Sequence, residues 1–258
     1  MKEASQGLGR RVIWALAIAA LLMVVRRAES ATVVVPNAQT NVEGNSANIL
    51  PFGCVVTSAS MRYQQVYLGP EVGNGTITEI RFRQDAPAVV PFGPNTINGV
   101  TIALSSTSAA PDGLSTTFAN NIRADVTTVF SGNLTLSSAA CGAGPCPFDI
   151  VIPLQTTFPF NGGSGPNLLL DVTIPTCVST TIFDAQNTVG DSVSRVLTGV
   201  PSGSGSTTAD ITDTLGLITQ FTITQGIPTL SEWAMIAMVL ILVGIAVWRL
   251  RRRPAFSA

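Results

Sequence analysis

Few side chains in this 258-residue chain could carry chemistry: 15 carboxylates, four cysteines and the hydroxyls, for there is no histidine and the only lysine is Lys2. Without an imidazole, a Ser-His-Asp triad, a Cys-His pair and a His-ligated zinc or haem are excluded, since each needs a group titrating near neutrality or a neutral nitrogen ligand. A Ser-Lys dyad, a Schiff base or a phosphate-binding lysine would have to draw on Lys2, at the very start of the chain. Carboxylates alone can hydrolyse glycosides when one is protonated and its partner ionised. Between 31 and 226, however, twelve acids are scattered with no spacing that singles out a pair. The expectation is no catalytic residue and a solvated acidic surface. Asp184, Asp191, Asp210 and Asp213 offer the hard oxygens that calcium takes, without a D-x-D-x-D-G loop to gather them. Structural calcium stays open on that ground; no other metal and no cofactor is expected.

Cys54, Cys141, Cys146 and Cys177 are even in number and lack paired C-x2-C knuckles, which disfavours zinc and makes two disulfides the default outside the cytoplasm. Of the three connectivities, the short Gly-Ala-Gly-Pro loop favours Cys141 with Cys146, leaving Cys54 with Cys177. Tyr63, Tyr67, Phe82, Phe92, Phe118 and Phe160 read as core or turn residues sooner than as a platform for sugar.

The elements that must hold these residues are strands. From Ala31 to Gly226 no 3.6-residue period is sustained, whereas alternation recurs, as in Thr78 to Arg83 and Gly216 to Thr224. Further candidates are Thr32 to Val35, Arg62 to Leu68, Val100 to Leu104, Val126 to Phe130, Phe148 to Leu154, Leu168 to Ile174 and Ser194 to Leu197. Turn formers separate them: Gly73-Asn74-Gly75, Pro111-Asp112-Gly113, Ser131-Gly132-Asn133, Asn161-Gly162-Gly163, and a flexible loop over 201–208. About nine short strands predict an all-β domain over 31–226, a single antiparallel β-sandwich of jelly-roll-like size, with two smaller sandwiches split near Cys141 as the runner-up.

Charge is segregated. Lys2, Arg10, Arg11, Arg26 and Arg27 stand at one end and Arg249, Arg251, Arg252 and Arg253 at the other, while from 31 to 226 five arginines face twelve acids, a net charge of −7. Such a middle excludes nucleic acid, which needs clustered Lys or Arg. Between the first basic residues runs an apolar stretch, Val12 to Val25, followed by small residues at Ala28 and Ser30. This is the layout of a secretory signal helix over 1–30, cut between Ser30 and Ala31. A second apolar stretch, Trp233 to Trp248, is flanked by tryptophans and closed by arginines, the pattern of a transmembrane helix with a cytoplasmic arginine anchor. Its 16 residues reach about 24 Å against a hydrocarbon core of about 30 Å, so Leu230 and Leu250 are needed to complete it.

Ahead of that stretch stands Ile227-Pro228-Thr229-Leu230-Ser231-Glu232-Trp233, with Gly226 and Pro228 breaking any incoming strand and Thr229 or Ser231 suited to cap a helix starting near Trp233. The order over 227–254 (Ile227, Pro228, Thr229, Leu230 and Trp233, then the apolar helix, then the arginines) resembles the IPTL-CTERM sorting domain, a relative of the PEP-CTERM domains of exported proteins in Gram-negative bacteria. Ala234 stands where such motifs often carry Gly. The resemblance implies that a membrane-embedded exosortase recognises the segment, cuts near the motif and passes the protein to the cell surface or extracellular matrix, with a link to extracellular polysaccharide. Two functions follow as expectations. The first is a non-catalytic surface or matrix protein, anchored in the membrane by its C-terminal helix before processing. The other is a secreted carbohydrate-active module using the sandwich face.

Overall fold

In a computed structural model of the chain, residues 30–53, 60–178, 180–199, 202–225 and 230–251 are described; within the last stretch the described side chains are 236–245 and 248. The strands are β1 (Ser30–Val35), β2 (Ser46–Asn48), β3 (Met61–Tyr67), β4 (Asn74–Phe82), β5 (Phe92–Thr107), β6 (Thr127–Ser138) and β7 (Ile150–Asn161). They continue with β8 (Asn167–Ile174), β9 (Phe183–Asn187), β10 (Val193–Leu197), β11 (Ile211–Asp213), β12 (Leu215–Leu217) and β13 (Thr219–Thr224). A four-residue helix, α1 (Gly69–Val72), links β3 to β4, and α2 (Leu230–Arg251) follows the strands. The chain divides into two units, one being Ser30–Gln225 and the other containing α2.

All named strands pair antiparallel, in three sheets ordered β1-β13-β4-β7, β11-β10-β3-β8-β5-β6 and β12-β9-β2. The all-β expectation holds. The third sheet and the six-strand layer exceed the plan of one small two-sheet sandwich, because three short strands, β2, β9 and β11, carry too few apolar residues to be read by alternation.

Burial follows pattern. In β13, Thr219, Phe221 and Ile223 are buried and the residues between them half-exposed. Phe221 meets Tyr67 of β3 edge-on, ring centroids 5.0 Å apart, so the four- and six-stranded sheets share one core. β3 is buried on both faces: Met61, Tyr63 and Tyr67 enter that core, while Val66 joins Leu114, Phe118, Leu169 and Val196 in a second cluster. The β5-to-β6 connection supplies this cover.

The expected turn at Ser131-Gly132-Asn133 is instead the middle of β6. Leu134 and Leu136 continue the buried alternation beyond it, and the irregularity falls on the partner strand, where Gly99 adopts φ +70° and its N–H donates to Asn133 Oδ1 at 3.2 Å. At Pro111-Asp112-Gly113 the turn is present, with Asp112 at φ +62°. β6 and β7 are edge strands of different sheets, joined through one side chain. Gln155 of β7 accepts from Ser131 N–H at 3.0 Å and donates to Ser131 C=O at 3.2 Å, as a paired strand would.

Cys141 and Cys146 form a disulfide with Cα atoms 5.6 Å apart, and Cys177 is also disulfide-bonded; Cys54 lies outside the described residues. Peptide mapping without reduction should recover Cys141 and Cys146 linked and no free thiol at Cys177. Replacing the fully buried Phe221 with Ala should cost about 3–5 kcal/mol in chemical denaturation followed by circular dichroism, through a cavity between the two sheets.

Candidate sorting segment and acidic cluster

Two places bring chemistry-bearing residues together: the corner where the first and last strands end, and the far end of β4. At the corner, β1 and β13 are flush, with Ser30 opposite Thr224 and Ala31 opposite Ile223. Both expected cleavage residues, Ser30 and Ala31, are therefore in β1. The chain leaves β13 at Thr224; Ile227, Pro228 and Thr229 lie outside the described residues, and α2 begins at Leu230. The helix thus starts earlier than Trp233 and takes Ser231 into its first turn. It includes Leu230, Trp233, Leu250, Arg249 and Arg251; Arg252 and Arg253 lie outside the described residues. Among the described residues no helix is long and apolar enough to cross a membrane. None of the described α2 side chains is buried, and those from Met238 to Val243 are all exposed.

The far end of β4 holds an ion pair. Arg83 continues the strand's alternation onto the face expected to meet water, yet it is only 1% exposed. Its Nε donates to Asp184 Oδ2 at 2.7 Å, its Nη2 to the carbonyls of Gln39 and Val42 at 3.0 and 2.7 Å, and its guanidinium lies 4.7 Å from the Phe148 ring centre. Asp184 Oδ1 accepts from Gly44 N–H at 2.9 Å. Glu43 and Asp85 complete a group of three carboxylates within 4.8 Å of one another. Glu43 Oε1 accepts from Ala86 N–H at 2.9 Å, while Oε2 is buried with no hydrogen-bond partner among the described residues. A shallow groove of about 600 Å³ lies alongside, walled by Glu43, Pro87 and the disulfide loop from Gly142 to Pro145.

Three carboxylates so close suit a hard cation, but Asp184 Oδ2 already holds the Arg83 guanidinium and Oδ1 the Gly44 N–H. Burial pushes the Asp184 carboxyl up to about 6 against the pull of Arg83, and Glu43 adds to the rise. Asp85 is raised by burial and then by Glu43.

The four aspartates offered for calcium do not converge. Asp184 and Asp213 sit in strands, and each of the four has a local bond to satisfy: Asp191 accepts from Val193 N–H, Asp210 from Gly199 N–H, and Asp213 holds Arg195 Nε at 2.8 Å. Sequence reasoning missed Glu43 and Asp85 because nothing in their spacing relates them to Asp184. Arg62 likewise holds Asp171, which also accepts from Gln64 Nε2 at 2.8 Å, and Arg81 holds Glu79.

A family model described as the IPTL-CTERM motif matches residues 225–252, so the chain carries that sorting motif at the position read from its sequence. No curated protein matches the chain.

Truncating Arg83 to Ala should destabilise the β-domain by about 3–5 kcal/mol, because Asp184 is left buried and unpaired. The raised carboxyls set the pH dependence. A carboxyl whose folded pKa lies above its unfolded value of 3.8 binds its proton more tightly when folded, so its contribution is complete below that value and is lost as pH rises through about 6. The thermal midpoint should therefore rise as pH falls from 7 to 5, and Glu43→Gln should flatten that rise by removing a charge that raises both Asp184 and Asp85.

Proposed function

We propose that this chain, which carries an IPTL-CTERM sorting motif over residues 225–252, is an exported, non-catalytic cell-surface or extracellular-matrix protein. On this reading the β-domain is the cargo and the C-terminal segment is its address, read by an exosortase. One observation carries it: the matched motif begins immediately after the last strand, and all of it but Gln225 falls outside the unit Ser30–Gln225. The apolar stretch Trp233 to Trp248, which falls within α2, belongs to the matched segment. We read it as the anchor of the unprocessed form, with Arg249 and Arg251 to Arg253 on the cytoplasmic side.

The absence of catalysis is part of the proposal. It is supported by carboxylates committed to arginines and to backbone N–H groups. A carbohydrate-active module gains little from the surface, since Tyr63, Tyr67, Phe82, Phe92, Phe118 and Phe160 are all buried. Changing Ile227, Pro228 and Thr229 together to Ala should block the shift to a smaller product and retain the full-length chain in the membrane fraction. Unchanged size and location on immunoblots of fractionated cells would sink the sorting assignment.

A further inference from the structure

The bond expected to be cut on export is built into a sheet. Ser30 and Ala31 are the first two residues of β1 and are paired with Thr224 and Ile223. Their side chains are exposed, as is that of Thr32, so any obstruction to a peptidase comes from the backbone. To be hydrolysed, a peptide must be drawn as an extended strand into the peptidase's own cleft, where its N–H and C=O groups find new partners. A strand lying about 4.8 Å from its sheet neighbour is held back from that movement until its ladder is broken. The neighbour is informative: β1 is at the edge of its sheet, and its one partner there is β13, the last strand. A chain exported from its N-terminus presents residues 219–224 only when almost all of the β-domain has emerged.

We infer that docking of β1 on β13 is a one-way gate on leader removal. While β13 is still to emerge, the Ser30–Ala31 bond is free to be hydrolysed, water supplying OH to the Ser30 carboxyl and H to the Ala31 amine. Once the six pairs from Ser30↔Thr224 to Val35↔Thr219 have formed, the bond is closed to the peptidase. Cutting before docking sacrifices only the terminal pair and leaves Ala31 to Val35 to complete the edge. The inference rests on the reading of an exported chain with a cleaved leader and adds the order of events to it.

The test uses full-length chain made by cell-free synthesis, refolded in detergent under disulfide-forming conditions and challenged with a purified membrane leader peptidase. Folded chain should be cut between Ala31 and its predecessor at least tenfold more slowly than the same chain held unfolded in urea at a concentration the peptidase tolerates. A second variant, with six Gly/Ser residues between Ala31 and Thr32, moves the bond out of the ladder while sparing the core, and should be cut at the unfolded rate even when folded. Equal cutting of folded and unfolded native chain, or continued resistance of the folded insertion variant, overturns the gate while leaving the leader in place. Failure to cut any form overturns the leader reading, and the gate with it.

Discussion

Arg83 meets its charge partner across 101 residues of sequence, and both ends of that ion pair are withdrawn from water. Removing two ions from solvent costs several kcal/mol each, and the attraction offsets this only if every remaining donor and lone pair is also satisfied. The surrounding chain is arranged to do so. The 37–42 segment turns its carbonyls inward to Arg83, Gly44 gives its N–H to Asp184, and Phe148 covers the guanidinium. The position of β9, the segment before β2 and the end of β4 are therefore fixed by one charge pair. In sheet three, β12-β9-β2, Asp184 follows Phe183 on β9, and the Phe183 ring packs with those of Phe52 and Phe82, centroids within 6.1 Å of one another.

The same economy runs through β3. Its inner face carries Tyr63, Gln65 and Tyr67 among aliphatic residues, and each polar tip has a partner. Gln65 accepts from Leu217 N–H and donates to Leu217 C=O, both at 2.8 Å, and Tyr67 meets the Thr219 hydroxyl at 2.9 Å. These bonds join the six-stranded sheet to β12 and β13 at defined points, where apolar packing alone would allow sliding. Burial raises the phenol of Tyr67 and keeps it protonated, as the shared hydrogen bond requires.

Strands were legible where alternation survives over five or more residues, as in β4 and β13, or where an apolar run carries the strand, as in β8. They were illegible where length or polarity hid the pattern. β2 reads Ser-Ala-Asn and β11 Ile-Thr-Asp, too short for any period to register. β9 reads Phe-Asp-Ala-Gln-Asn, and its Asp184 is buried for a reason that lies a hundred residues away. Gly132 was misread because a glycine between polar neighbours serves a turn and a strand equally well; the register of β5 decides, with its own irregularity at Gly99. Of the candidate sites, the sorting motif was fully visible, being local in sequence. The acidic cluster was not, since Glu43, Asp85 and Asp184 come from three distant segments that only the fold assembles.

Four of the five arginines between 31 and 226, Arg62, Arg81, Arg83 and Arg195, are held by carboxylates, and among the described residues no ion pair involves the exposed Arg123. Positive charge is thus consumed internally, and the solvent meets mostly fixed anions such as Asp112, Asp125 and Asp210. Fixed anions are balanced by mobile small cations, which bring osmotic pressure and water with them. Copies of the β-domain crowded together repel over a Debye length of about 10 Å at 0.1 M salt. That repulsion is stronger in dilute medium and weaker in brine, while the fold itself stays unchanged.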